Sequence, residues 1–90
     1  MSRLINIGFG NVVNSSKIVG IIRPEAAPVK RMIQSAKDAG TAIDATCGRK
    51  TKAVIVTDSG YLVLSALLPE TISNRVNAKE NIESTLSFEE

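Results

Sequence analysis

The sequence predicts a small α+β domain, a mostly antiparallel sheet packed with two helices. Three observations carry this. Apolar residues form short strand-like runs within residues 4–22, take a helical period over residues 28–39, and return to strand-like runs over residues 41–67 before a second helix start at Pro69. Strands, helix, strands, helix is an α+β order rather than a βαβ alternation, and the expectation is a sheet covered on one side. Ninety residues make one domain. Residues 1–79 are assigned to it, and residues 80–90, with Glu80, Glu83, Glu89 and Glu90, to a solvated acidic tail.

Taken in order, residues 4–8 and Val12-Val13 read as short strands around the turn Gly8-Phe9-Gly10-Asn11, because glycine tolerates the positive φ of tight turns. Residues 17–22 are apolar on both parities and bounded by Asn14-Ser15-Ser16 and Arg23-Pro24, which predicts a strand through the interior. Pro28 suits the first turn of a helix, where its missing N–H has no partner to lose. Val29, Met32, Ile33 and Ala36 then recur at i, i+3, i+4 and i+7 as an inward stripe opposite Lys30, Gln34 and Lys37, and Gly40 is the natural stop. Residues 41–46 and 53–57 read as strands, and Asp58-Ser59-Gly60 turns the second into residues 61–67 as a hairpin. Pro69 and Glu70 sit where a helix start favours proline and negative charge, and Ile72, Val76, Ala78 and Ile82 supply a thin apolar stripe.

Composition then restricts the chemistry. The apolar 43 % is mostly Ile, Val, Ala and Leu, and the aromatics are only Phe9, Tyr61 and Phe88, so the core must be aliphatic. The chain has no histidine, which removes the usual neutral-pH proton carrier and the commonest metal ligand. Cys47 is the single cysteine, so no internal disulfide or Cys-x-x-Cys pair forms and a reducing cytoplasmic setting fits. No signal-peptide pattern opens the chain and no run approaches 18 apolar residues, so no membrane partner is expected. The net charge of +2 hides an asymmetry. Residues 1–52 hold nine Lys or Arg against three acids, and residues 53–90 hold two against six. The first half is therefore a candidate polyanion surface.

Its focus is Gly48-Arg49-Lys50-Thr51-Lys52, three cations in four residues. If a strand resumes near Lys50, then Lys50 and Lys52 project from one face and Arg49 and Thr51 from the other, with Gly48 allowing close approach of a phosphate. The alternative is a solvated turn. Lys17, beside Ser15-Ser16 and Asn11, offers a second basic edge that could join the first in one stripe. Few aromatics interleave with these cations, which favours duplex DNA over single strands.

Other motifs carry less. Gly8-Phe9-Gly10 lacks the third glycine of a dinucleotide fingerprint, since position 13 is Val13, and Gly48-Arg49-Lys50-Thr51 lacks the first glycine of a phosphate-cradling loop. No cofactor is expected. Cys47 near cations is a conceivable nucleophile and Asp44 a conceivable carboxylate base, but without a histidine Cys47 reads as a buried structural residue and Asp44 as a hydrogen-bonding anchor for its loop or the partner of a neighbouring cation. No catalysis is expected.

The strings Asn6-Ile7-Gly8-Phe9-Gly10-Asn11, Pro24-Glu25-Ala26-Ala27-Pro28-Val29-Lys30-Arg31-Met32-Ile33, Ile43-Asp44-Ala45-Thr46-Cys47-Gly48-Arg49-Lys50-Thr51-Lys52-Ala53 and Leu64-Ser65-Ala66 with Pro69-Glu70-Thr71 resemble the RemA family of bacterial extracellular-matrix regulators. The resemblance spans about residues 4–80. It implies a cytoplasmic, nucleoid-associated DNA-binding transcriptional regulator of biofilm matrix genes, assembled as a ring-like homo-oligomer of small α/β subunits with a LytTR-like element. On that resemblance the family's basic pair falls on Arg49 and Lys50 and its earlier basic residue on Lys17, while Lys52 is added from the cluster itself. Cys47 stands where the family commonly has tyrosine, and Lys17 and Lys50 where arginine is familiar. Phosphate attraction survives an Arg-to-Lys exchange, whereas bidentate geometry does not. A structural or protein-interaction ring without direct DNA binding is the other expectation. In it the basic loop pairs with a neighbour's acidic tail.

Overall fold

A computed structural model describes residues 3–78; the acidic tail over 80–90 and Ile82 lie outside the described residues. The chain forms β1 (Leu4–Gly8), β2 (Asn11–Asn14), a short 3-10 turn (Ser15–Lys17), β3 (Ile18–Ile22), α1 (Ala27–Ala39), β4 (Ala42–Asp44), β5 (Ala53–Thr57), β6 (Leu62–Ser65) and α2 (Pro69–Val76). β1 and β2 pair as a separate antiparallel hairpin, and the other four strands form one sheet in the order β3-β5-β6-β4. All pairings are antiparallel except that of β4 with β6. The α+β expectation is therefore met with two sheets rather than one.

Both faces of the four-stranded sheet are covered, not one. Successive residues of a strand point to opposite faces, and β5 and β6 are apolar at both parities. Val54, Leu62 and Leu64 pack with Val29 and Ala36 of α1. Ala53, Ile55 and Val63 pack with Ile72 of α2 and Ile7 of the hairpin. The unbroken runs Ala53-Val54-Ile55-Val56 and Leu62-Val63-Leu64 carried that information.

β3 does not run through the interior either. It is an edge strand, its register shifts between Ile18 and Gly20, and Val19 is left 68 % exposed. A bulge of this kind is typical of sheet edges and turns one apolar residue outward. Met32 likewise lies on the rim of its helical stripe, still 38 % exposed, whereas Val29 and Ala36 are buried.

The helix ends follow their sequence signals. Pro28 lies in the first turn of α1, and Gly40 closes it at φ 78°. There the Gly40 N–H donates to Lys37 O and the Thr41 N–H to Ala36 O at 2.8 Å, satisfying carbonyls that the helix leaves open. In α2, Pro69 and Glu70 occupy the first turn, and Ile72 is fully buried. Among the described residues, no helix is long and apolar enough to cross a membrane.

Candidate functional site

The order β3-β5-β6-β4 decides where the basic loop sits. β4 lies beside β6 and β5 lies on the other side of β6, so residues 45–52 must pass over the carboxyl end of β6 to connect them. Backbone bonds fasten both ends of that passage: the Ala45 N–H donates to Leu64 O and the Lys52 N–H to Ser65 O, each at 2.8 Å.

Within the loop, Cys47 and Gly48 have φ of 57° and 81°, and the Arg49 N–H donates back to Thr46 O at 3.0 Å. Two successive positive φ values identify a type I′ turn, which Gly48 accommodates freely. Asp44 locks its entry. One carboxylate oxygen accepts from the buried Thr46 hydroxyl at 2.6 Å and from the Thr46 N–H at 2.9 Å. Those bonds, hydroxyl first, hold the Asp44 carboxyl below its ordinary range, with a smaller contribution from the Lys37 charge. Asp44 is thus the loop anchor that its spacing predicts.

Cys47 is a correction. It is exposed at the turn, not a buried structural residue. Nor does a strand resume near Lys50, because β5 begins only at Ala53. Instead of alternating between two faces, Arg49, Lys50 and Lys52 converge on one cleft of about 350 Å³, with Phe9, Ala66 and Leu67 as its apolar part. Thr51 is half-buried.

Phe9 was not identified as a site residue from the sequence. It reaches the loop because the β1–β2 hairpin is tied to the same end of the sheet. Fully buried Ser65 donates from its hydroxyl to Ile7 O at 2.9 Å and accepts from the Leu67 N–H at 3.0 Å. At the hairpin tip, Gly8, Phe9 and Gly10 all have positive φ, 110°, 55° and 79°. Asn6 Oδ1 accepts from the Gly8 N–H at 2.7 Å, and Asn11 Nδ2 donates to Gly8 O at 3.1 Å. A side chain at position 8 would be strained by φ 110°, although its Cβ would meet Leu67 Cγ only at an ordinary contact distance of 3.4 Å. The Arg49 guanidinium carbon then lies 5.5 Å from the centre of the Phe9 ring, within cation–π range. A signal was present in the sequence: an aromatic between two glycines in a turn.

Lys17 stands elsewhere. It precedes β3, whose Ile18 pairs with Thr57 at the far end of β5, and its carbonyl accepts from the Asp58 N–H at 2.9 Å. The five residues of β5 separate it from Lys52 by roughly 17 Å. One subunit therefore does not join Lys17 to the loop in one local patch. Among the described residues, none of Lys17, Arg49, Lys50 and Lys52 has an acidic side chain within ion-pair distance, and the one ion pair is Arg23 with Glu70 at 2.7 Å.

A larger groove of about 680 Å³ runs between α1 and the β5–β6 turn, but Arg31 is its one cation. The basic loop brings three cations to one cavity, and a cavity lined by Arg23 and Glu70 has its charge neutralised by their ion pair.

Residues 4–76 match the family described as RemA-like, extracellular matrix regulatory protein A-like. Three relatives carry the name "putative regulatory protein". The protein of Lachnoclostridium phytofermentans is 68 % identical over 89 residues, covering 99 % of this chain and 98 % of its own. That of Heliobacterium modesticaldum is 59 % identical, covering 89 % and 88 %. That of Alkaliphilus oremlandii is 56 % identical, covering 97 % of both.

Proposed function

Given that the chain belongs to the RemA-like family and that its role is regulatory, we propose that it regulates transcription in the cytoplasm by binding duplex DNA through Arg49, Lys50 and Lys52. The observation that carries this reading is the convergence of three cations, without acidic partners among the described residues, on a loop whose backbone is fastened at both ends. A fixed backbone holds the charges ready, so little ordering entropy opposes phosphate contact. Lys50 and Lys52 act as point charges on phosphate, and Arg49 presents a planar fork already oriented against Phe9. The family resemblance extends the reading to matrix genes, with DNA shape supplying much of the selectivity.

Assembly belongs to the same mechanism. Each neutralised phosphate contributes about −0.9 to the slope of log affinity against log salt, so three or four cations per subunit bind weakly at cellular salt. Repetition in a ring-like homo-oligomer raises avidity by about 10² to 10⁴. Two open sheet edges support such repetition. Among the described residues, β3 and β4 have no strand on their outer sides, and Val19 and Ile43 on them are exposed. In an assembly, Lys17 of one subunit contributes to a duplex held by the loop of another.

A duplex-binding titration across a salt series, beside a mass measurement of the free protein, tests the reading. The expected result is an oligomer whose affinity falls steeply with salt. A monomer without duplex affinity in dilute buffer removes it. Truncation after Lys79 separates the rival protein-interaction ring, which predicts dissociation, from the DNA reading, which predicts intact oligomers with equal or stronger DNA affinity.

A further inference from the structure

We propose that Phe9 is a second, non-ionic DNA contact, packing its ring against the deoxyribose of the nucleotide whose phosphates Lys50 and Lys52 hold. The inference rests on the duplex-binding reading and names a residue and a kind of contact that reading does not contain.

The tip of the β1–β2 hairpin is built to present this side chain. Phe9 adopts φ 55° between two glycines with positive φ, and a left-handed backbone is one that asparagine or glycine adopts with less strain. An aromatic is not what the turn itself requires at that position. The ring is nevertheless 50 % exposed, so its placement is not explained by the core. Asn6 and Asn11 brace the tip and the Ser65 hydroxyl bond to Ile7 O fastens its base to the sheet. One side of the ring faces Arg49; with Ala66 and Leu67 it forms the apolar part of a cleft whose remaining wall is cationic. An apolar floor beside cations is complementary to a sugar–phosphate unit, which is apolar along the deoxyribose and anionic at its two phosphates. A free inorganic anion has no use for the floor, and an apolar ligand none for the lysines.

The test is fluorescence anisotropy of a labelled duplex with the full-length protein and its Phe9→Ala, Lys50→Ala, Arg49→Ala and Phe9→Ala/Arg49→Ala variants, each over a salt series. Burying the free half of a phenyl ring makes the expected loss on Phe9→Ala about fivefold to tenfold, as a parallel displacement of the log affinity against log salt line. Lys50→Ala instead flattens that line by about 0.9 for each phosphate released. If Phe9 served only to orient Arg49, Phe9→Ala would cost nothing further in the Arg49→Ala background; the expected result is that the loss persists there. A Phe9→Trp variant, in a chain with no other tryptophan, is expected to bind normally and to change its emission as duplex is added. Unchanged affinity on Phe9→Ala, or emission unmoved by bound duplex, overturns the Phe9 contact and leaves the phosphate reading standing. Failure of the unmodified protein to bind duplex overturns both.

Discussion

Two groups of cations sit in one small domain in opposite surroundings. Around α2, the Arg3 guanidinium donates to Arg75 O and to Val76 O, the latter at 2.8 Å, Arg75 donates to Asn6 O at 2.9 Å, and Arg23 pairs with Glu70. Arg3 satisfies the carbonyl end of the helix, Arg75 ties it to β1 and Arg23 pairs at its first turn, so these side chains have little left to offer a ligand. Around residues 49–52 the same chemical types make no such bonds with described residues and converge on open space. Residue type alone therefore does not identify a binding cation. What separates the groups is their partners: α2 ends beside Arg3 and Glu70 stands beside Arg23, whereas the loop cations have no such acceptor among the described residues.

Substitutions on each side test that division. The largest effect is expected from Arg49→Ala combined with Lys50→Ala, which should lower duplex affinity by at least about 100-fold at 0.15 M salt when the loss repeats over several subunits. Its unfolding midpoint should stay within about 0.5 kcal/mol of the parent, as for surface substitutions generally. Loss of the fold would place these residues with the α2 group. Next comes Arg3→Ala, which leaves helix-end carbonyls without a charged donor. It is expected to cost about 2 kcal/mol, or about 10 °C in Tm, with no change in the salt slope of the folded fraction. A changed slope with unchanged Tm would make Arg3 a phosphate contact.

The smallest effect concerns the anchor of the loop. Because the folded state holds the Asp44 carboxyl below its ordinary value of about 3.9, Asp44 binds its proton more readily in the unfolded chain. Its contribution is therefore present above about pH 4 and is lost as pH falls through the lower folded value. Thermal unfolding followed from pH 6 down to pH 3 should show a slightly shallower decline for Asp44→Asn than for the parent. Asp44 is exposed, so solvent keeps this difference small. Identical profiles would remove the carboxylate as the anchor.

Much of the site was legible piece by piece. Gly48 in a turn, Asp44 as a hydrogen-bonding anchor, and the three cations of residues 49–52 all follow from side-chain chemistry within a few positions. Readings that needed knowledge of neighbours failed, among them the strand expected near Lys50 and the sheet expected to be covered on one side. Cysteine is usually buried, which predicts a buried Cys47, but a left-handed turn at a sheet end turns it to solvent. Apolar residues at both parities of residues 17–22 predict an interior strand, but the bulge at Val19 and the position beside β5 alone make it an edge.

The sequence by itself determined the kinds and order of the elements, the helix starts at Pro28 and Pro69, the stop at Gly40 and the cluster of charge. These depend on periodicity and backbone preferences that act within about ten residues of chain. Only the tertiary structure decided that the loop crosses the end of β6, that Ser65 fastens the hairpin there, that Phe9 meets Arg49, and that Lys17 lies a strand's length away. Those placements follow from which strands pair across the sheet. Pairing is set by burial of both sheet faces over distant segments, and no short stretch of sequence encodes it.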